Sequence, residues 1–434
     1  MKAILNFLEG FGVNIGWVLM GLGALMFYFI ITTLNIAPGP FFGTILATAP
    51  LWLPIITFML FHEAWVYAVR LEYDINQGRT TLEITLPQEV RKSPEAMELI
   101  LNQLHQAANP DNHFQTYWDG KHAPVFSLEL VSRGGNIHFY INTPRKKFMK
   151  LIENQLYAQY PGIEVKELSI DYTAEVPWDT DRFEYFAFHF APKKADAYPI
   201  KTYVDYGHRD MPKEEEKIDP MTTMLDALGG MGPDEQMWVQ IMITANKEHN
   251  FKNGSLKTVP DWKKDAQGEI KNIYDSAAKR SGGESPFPML TDVEQDKVKS
   301  IERSLGKNAF DTNIRAVYIA ASGKFNGDQL GAIGASWRAY DDNNKNNIGV
   351  CWRTDFDWNM WQDRSGKKKE AMKKNELNEY KRRTYTPQHK KDGGKVFTTE
   401  ELATIYHLPG QVVLTPALGR IPSARSEAPN NLPV

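Results

Sequence analysis

A single cysteine, Cys351, stands in a chain of 434 residues, so no disulfide can form within it and nothing marks an oxidising compartment. Charge is missing over one long stretch: from Gly10 to His62 there is no Asp, Glu, Lys or Arg. A strong net charge is also missing, since 50 basic residues face 53 acidic ones and leave −3. That balance argues against nucleic-acid binding by bulk charge and leaves only a local basic patch. The phosphate-binding loop GxxxxGK[ST] is absent; Ser322-Gly323-Lys324-Phe325 and Ser365-Gly366-Lys367-Lys368 lack both the upstream glycine and the hydroxyl residue after Lys. His62-Glu63 begins an HExxH zinc motif, but Val66 stands where the second His must be, and no GxSxG appears. The remaining histidines have no ligand spacing, so the sequence nominates no catalytic residue, no cofactor and no metal ligand. What is present, 42% hydrophobic and 24% charged residues, suffices for sizeable cores and excludes disorder throughout.

The charge-free stretch carries two apolar runs, 13–34 and 41–61, each near the ~20 residues that span a bilayer. Between them, Asn35-Ile36-Ala37-Pro38-Gly39-Pro40 breaks the helix and permits a reversal. A signal peptide would have one shorter apolar region, and a buried soluble hairpin is hard to reconcile with so long a charge-free stretch. The tip is uncharged, whereas Lys2 and then Arg70, Arg79, Arg91 and Lys92 flank the other side, which predicts two passes with both termini cytoplasmic.

Beyond the hairpin the hydrophobic period alternates. Leu82, Ile84 and Leu86 alternate as a strand; Ser93 and Pro94 open a helix bearing Met97, Ile100, Leu101 and Leu104. Phe126, Leu128 and Leu130, a Gly134-Gly135 turn, and Ile137, Phe139 and Ile141 predict a hairpin. A helix over 145–159 and a strand from Ile163 complete the order β-α-β-β-α-β of a ferredoxin-like unit. Further strands are expected at 185–190, 200–206, 237–244 and 314–321, with helices near 219–228, 262–278, 291–305 and 326–340. The polar stretches 207–218 and 246–290 read as loops or inserts, and element order alone allows a duplicated ferredoxin-like domain. The fold class is thus α+β: a two-helix transmembrane hairpin (1–70), a ferredoxin-like domain (71–175), a second α+β domain (176–395), and a short helix with a Pro-rich tail (396–434).

Two clusters suit binding. Trp352, Phe356, Trp358 and Trp361, interleaved with Asp355 and Asp357, can stack bases or meet a protein, though a packed domain edge uses the same residues. Lys367, Lys368, Lys369, Lys373, Lys374, Lys381, Arg382 and Arg383 read first as a solvated helix; they can also meet lipid headgroups or DNA phosphates, although Glu370, Glu376 and Glu379 dilute the run. Thr398-Thr399-Glu400-Glu401 forms a capping box for a short helix.

The segment FTTEELATIYHLPGQVVLTPALGRIPSARSEAPNNLP, together with LEITLPQEVRKSPEAMELIL, FSLELVSRGGNIHFYINTP and LIENQLYAQYPGIEV, resembles the membrane-anchored N-terminal region of bacterial type IV secretion and conjugative DNA-transfer ATPase proteins. The resemblance runs from about residue 71 onward and touches no nucleotide-binding motif. It implies a non-catalytic inner-membrane component that docks a separately encoded ATPase, with Trp352, Trp358, Trp361, Tyr406 and Leu408 as candidate partner contacts. The expected partners are the lipid bilayer and that ATPase, with a homo-oligomer compatible. A membrane-tethered nucleic-acid adaptor is the alternative, and an enzyme with a dispersed site is a third reading that a deep pocket of converging ionisable groups would revive.

Overall fold

The computed structural model describes residues 38–87, 92–106, 110–207, 218–256, 258, 261–280, 289–354, 363, 365–384, 395–410 and 420–421. Helix α1 (Pro38–Gln77) starts at the prolines of the expected hairpin tip, which a first helical turn tolerates because its N–H groups need no intrahelical partner. It continues 16 residues beyond the expected end of the second span at 61, because 62–77 contains neither Pro nor Gly, and it stops at Gly78, whose φ is +64°. Its stretch Leu46–Gln77 is long and apolar enough to cross a membrane. The first expected span, 13–34, lies outside the described residues. Val69 closes one compact unit, and Arg70 opens another made of 70–354 with 373–434.

This second unit is α+β and centres on one sheet. Strands β1 (Arg79–Pro87), β2 (Val125–Arg133), β3 (Asn136–Pro144) and β4 (Glu164–Glu167) pair antiparallel in the order β4-β1-β3-β2. Helices α2 (Glu95–Leu104), the short α3 (His113–Tyr117) and α4 (Arg145–Gln159) lie between them in sequence. Ser93 does not cap α2 as expected; Pro94 takes the cap position and no side chain closes that end. Strand β5 (Phe183–Pro192), helix α5 (Thr222–Gly229), strand β6 (Glu235–Ala245), helices α6 (Trp262–Arg280) and α7 (Asp292–Leu305), strand β7 (Ala309–Ala321), helix α8 (Gly327–Ser336) and strand β8 (Ile348–Arg353) follow. They pair antiparallel as β6-β7-β5-β8, the mirror of the first order. β2 and β6 join antiparallel along nine residues, with Glu129 opposite Gln240 at the middle. The expected domain boundary at 175/176 therefore falls within a chain whose strands on either side share one sheet. Helix α9 (Lys367–Arg382), which belongs to this unit from Lys373 onward, strand β9 (Lys395–Thr398) on β7, helix α10 (Thr399–Ile405) and the two-residue β10 (Arg420–Ile421) beside β1 follow.

Strand alternation sorts the side chains into two faces. Leu82, Ile84, Phe126, Leu128, Phe139, Ile141, Phe188, Val239 and Ile241 pack on one face with Met97, Ile100 and Leu101 of α2, Ile152 and Leu156 of α4, Leu225 of α5, and Leu402 and Ile405 of α10. Each such side chain contributes about 1.5–3 kcal/mol on burial, so this layer dominates stability. The opposite face carries a smaller apolar cluster, Tyr140, Tyr172, Tyr185, Ala187, Trp238 and Val317 among its members, covered by Leu377 and Tyr380 of α9. The expected strand at 200–206 is a turn. Its backbone N–H groups are taken by Glu401 (Ile200), the Tyr340 carbonyl (Lys201), Asp205 (Thr202) and Thr404 (Tyr203), which leaves no ladder to form.

Candidate functional site

On the face away from the main helical layer, the centre of the sheet is polar and buried. Glu129 is fully buried, and its carboxylate accepts from Ser127 Oγ at 2.6 Å, Tyr172 OH at 2.7 Å and Gln240 Nε2 at 2.9 Å. Arg383 clamps it with both Nε (2.9 Å) and Nη2 (3.1 Å), and also meets Asp171 at 2.8 Å. Across the seam, Gln240 Oε1 accepts from Arg315 Nε at 2.5 Å, while Arg315 Nη2 donates to the backbone carbonyls of Glu379 and Thr384. Burial pulls the Arg383 guanidinium down, but Glu129, Tyr172 and Asp171 outweigh it and hold it above its ordinary value. Arg383 is also the one described residue other than glycine with positive φ, +51°, a conformation that the surrounding hydrogen bonds enforce.

Beside this network opens a cavity of about 620 Å³, lined by Arg79, Arg145, Lys381, Arg382 and Arg383 against two acids, Glu167 and Asp171. Thr80, Thr81, Asn142, Ser169 and Thr173 add polar walls, and Leu168 is the one apolar lining residue among those described. Arg79 enters at the first residue of β1, where Gly78 turns the chain out of α1. It donates Nε to Asn142 Oδ1 at 2.7 Å and Nη2 to the Val125 carbonyl at 3.0 Å, and it has no carboxylate partner among the described residues. Burial, with the Arg383 charge nearby, pulls the Arg79 guanidinium down to about 10. Lys381 donates Nζ to the Val176 carbonyl, and burial lowers its ammonium, with Asp171 opposing.

Both acids are committed. Asp171 accepts from Thr81 Oγ at 2.7 Å and from Thr173 N and Oγ. Burial raises its carboxyl, but Arg383 and the Thr81 and Thr173 bonds prevail and hold it below the usual value. Glu167 accepts from Thr80 Oγ at 2.7 Å and pairs with Arg145 at 3.1 Å.

The second half of the sheet supplies a comparison position by position. Carrying the register outward from Glu129 opposite Gln240, Asn142 corresponds to Val317, Thr81 to Ala187 and Arg79 to Tyr185. Where the first half has a polar hole, the second is apolar, and Trp178 and Phe183 pack on it.

Of the basic residues the sequence nominated, Lys381, Arg382 and Arg383 reach this cavity. Arg383 is not a surface cation as expected; it is buried because Glu129 and Asp171 need its charge. Lys367 and Lys368 are exposed, Lys369 is half-buried, and all three lie on the part of α9 that belongs to the unit closed by Val69. Lys373 and Lys374 are on the next turn, half-buried and exposed. Trp352 of β8 meets His189 of β5 edge-on, and Trp358 and Trp361 lie outside the described residues. Tyr406 and Leu408 are fully buried and so form core, not a partner surface; the Tyr406 hydroxyl donates to the Tyr140 carbonyl at 3.0 Å. Arg79, Arg145 and Asp171 escaped the sequence reading. One signal was available: Arg145, Lys146 and Lys147 fill the first turn of α4, the end where the helix dipole disfavours cations.

Comparison with curated proteins gives no match. The family model of a domain of unknown function, DUF8128, matches residues 67–419, most of the chain, and the protein therefore belongs to that family.

Proposed function

We propose that this chain is a non-catalytic, two-pass inner-membrane component of a type IV secretion or conjugation-like machine, with both termini cytoplasmic, whose body docks a separately encoded ATPase. The observation that carries the anchor is α1, which exposes Leu46 at 72%, Leu51 at 75%, Leu60 at 66% and Phe61 at 60%. Water penalises such a surface and lipid accepts it. The family match begins at residue 67, beyond this run, as suits a body that is a module on its anchor. The body's two mirrored strand orders suit a pair of ferredoxin-like units, and the docking role rests on the sequence resemblance.

The cavity supports binding over catalysis. Its carboxylates already accept from Thr80, Thr81, Thr173 and arginines, and the lowered Asp171 is a poor general base. A nucleic-acid adaptor is the second reading, favoured by the cavity's excess of basic residues.

Carbonate washing of membranes tests the anchor: the full chain should stay in the pellet, and release into the wash would refute it. In detergent, the full chain should show no ATP hydrolysis and should co-elute with a conjugation-type ATPase. Failure to co-elute removes the docking role, and co-elution with duplex DNA that falls steeply with salt would favour the adaptor.

A further inference from the structure

We infer that the cavity between β1, the start of α4 and the end of α9 is a binding site for a compact phosphate-bearing anion. Five basic residues converge there on two acids that are already engaged, and with Glu129 balancing Arg383 the site still carries surplus positive charge among the described residues. Like charges gathered in a partly desolvated hollow oppose folding, and a bound anion relieves them. The fold does not require the arrangement, because Tyr185, Ala187 and Val317 fill the matching positions of the second half with apolar packing.

Arg79 is the centre of the site. Asn142 and the Val125 carbonyl fix two of its nitrogens, leaving the third without a partner among the described residues. A guanidinium held in this way is prepared for a phosphate oxygen without further loss of side-chain freedom. Arg383, locked by Glu129, fixes the position of the chain segment that carries Lys381 and Arg382. Among the described residues the walls contain no aromatic ring, so these walls recognise a ligand by charge and hydrogen bonding, and the volume of about 620 Å³ suits a pyrophosphate or phosphomonoester group with a small attachment. Such a group can come from a soluble polyphosphate or from an anionic lipid headgroup.

The test uses the full chain in nanodiscs of phosphatidylcholine, titrated calorimetrically with inorganic pyrophosphate, with chloride at matched ionic strength as control. Saturable binding is expected, with affinity reduced at least about tenfold in Lys381→Gln/Arg382→Gln, a half-buried and an exposed residue whose exchange leaves the Glu129–Arg383 clamp intact. Arg79→Lys, which keeps the charge but loses the fixed fork, should weaken binding while circular dichroism stays unchanged. Nanodiscs containing phosphatidic acid separate the sources: competition with pyrophosphate assigns the lipid headgroup, and no competition assigns a soluble ligand. Absence of binding at millimolar pyrophosphate, or binding that these substitutions leave unchanged, overturns the inference.

Discussion

The two halves of the sheet share a strand order and a register, yet they differ at the same three positions. Arg79, Thr81 and Asn142 surround a hollow in the first half, whereas Tyr185, Ala187 and Val317 are packed apolar residues in the second. The second half instead carries α6 and α7 between β6 and β7, where the first has only the tight Gly134-Gly135 turn between β2 and β3. One backbone thus holds either a polar recess or a closed core. The choice resides in a row of side chains facing away from the helices.

The largest effect is expected where both halves meet. Arg383→Ala leaves the Glu129 carboxylate buried and without its cation, which costs about 3–5 kcal/mol; denaturant unfolding should show the midpoint fall accordingly. A smaller loss in the double variant Glu129→Gln/Arg383→Met would identify the unpaired charge as the cause. Next in size is the hairpin turn. Gly135 has φ of +86°, and a Cβ there would sit 3.0 Å from the Gly229 carbonyl oxygen and 3.1 Å from that of Met231, so Gly135→Ala should destabilise by about 1–3 kcal/mol.

The comparison itself can be broken by exchanging the row. Arg79→Tyr/Thr81→Ala/Asn142→Val gives the first half the residues of the second; the sheet should persist by circular dichroism, with stability changed by no more than about 2 kcal/mol, while pyrophosphate binding disappears. Unfolding of this variant would mean that the halves are not interchangeable in this row.

The smallest expected effect is on pH. Burial pushes the Glu401 carboxyl from 4.5 up to about 7 and that of Asp196 up to about 6. The folded chain therefore holds protons that the unfolded chain has released, and these groups lower stability as pH rises from about 4.5 to 7. Asp171 and Asp205 are shifted down, so their contribution is present above the ordinary aspartate range and lost as pH falls through it. Thermal stability should accordingly peak on the acid side of neutral. Glu401→Gln, which can still serve in the capping box with Thr398, should flatten the slope between pH 5 and pH 7.

The elements of the first half were legible because their apolar periods are clean: Leu82, Ile84 and Leu86 alternate, and Phe148, Ile152 and Leu156 mark one helical face. The capping box at Thr398 and Glu401 was equally readable, being a local contact. Strand β8 was not, since Gly349, Val350 and Trp352 show no alternation and the pairing shifts register between His189 and Phe190. A carboxylate between Leu128 and Leu130 normally marks the wet side of a strand, yet Glu129 is buried. Its burial depends on Arg383, 254 residues away, and no local pattern encodes that distance. The cavity was hidden for the same reason, as it assembles β1, the start of α4 and the end of α9.

The antiparallel pairing of β2 with β6 places the pseudo-two-fold axis between Glu129 and Gln240. In a symmetric pair of separate, identical subunits, the residue on that axis must face its own copy. Glutamate would then oppose glutamate in a dry interior, and the like charges would force one of them to take up a proton or split the pair. Carrying both halves on one chain removes that obligation of identity. The central position can be charged on one side and neutral on the other, and a single arginine, Arg383, is enough to balance it.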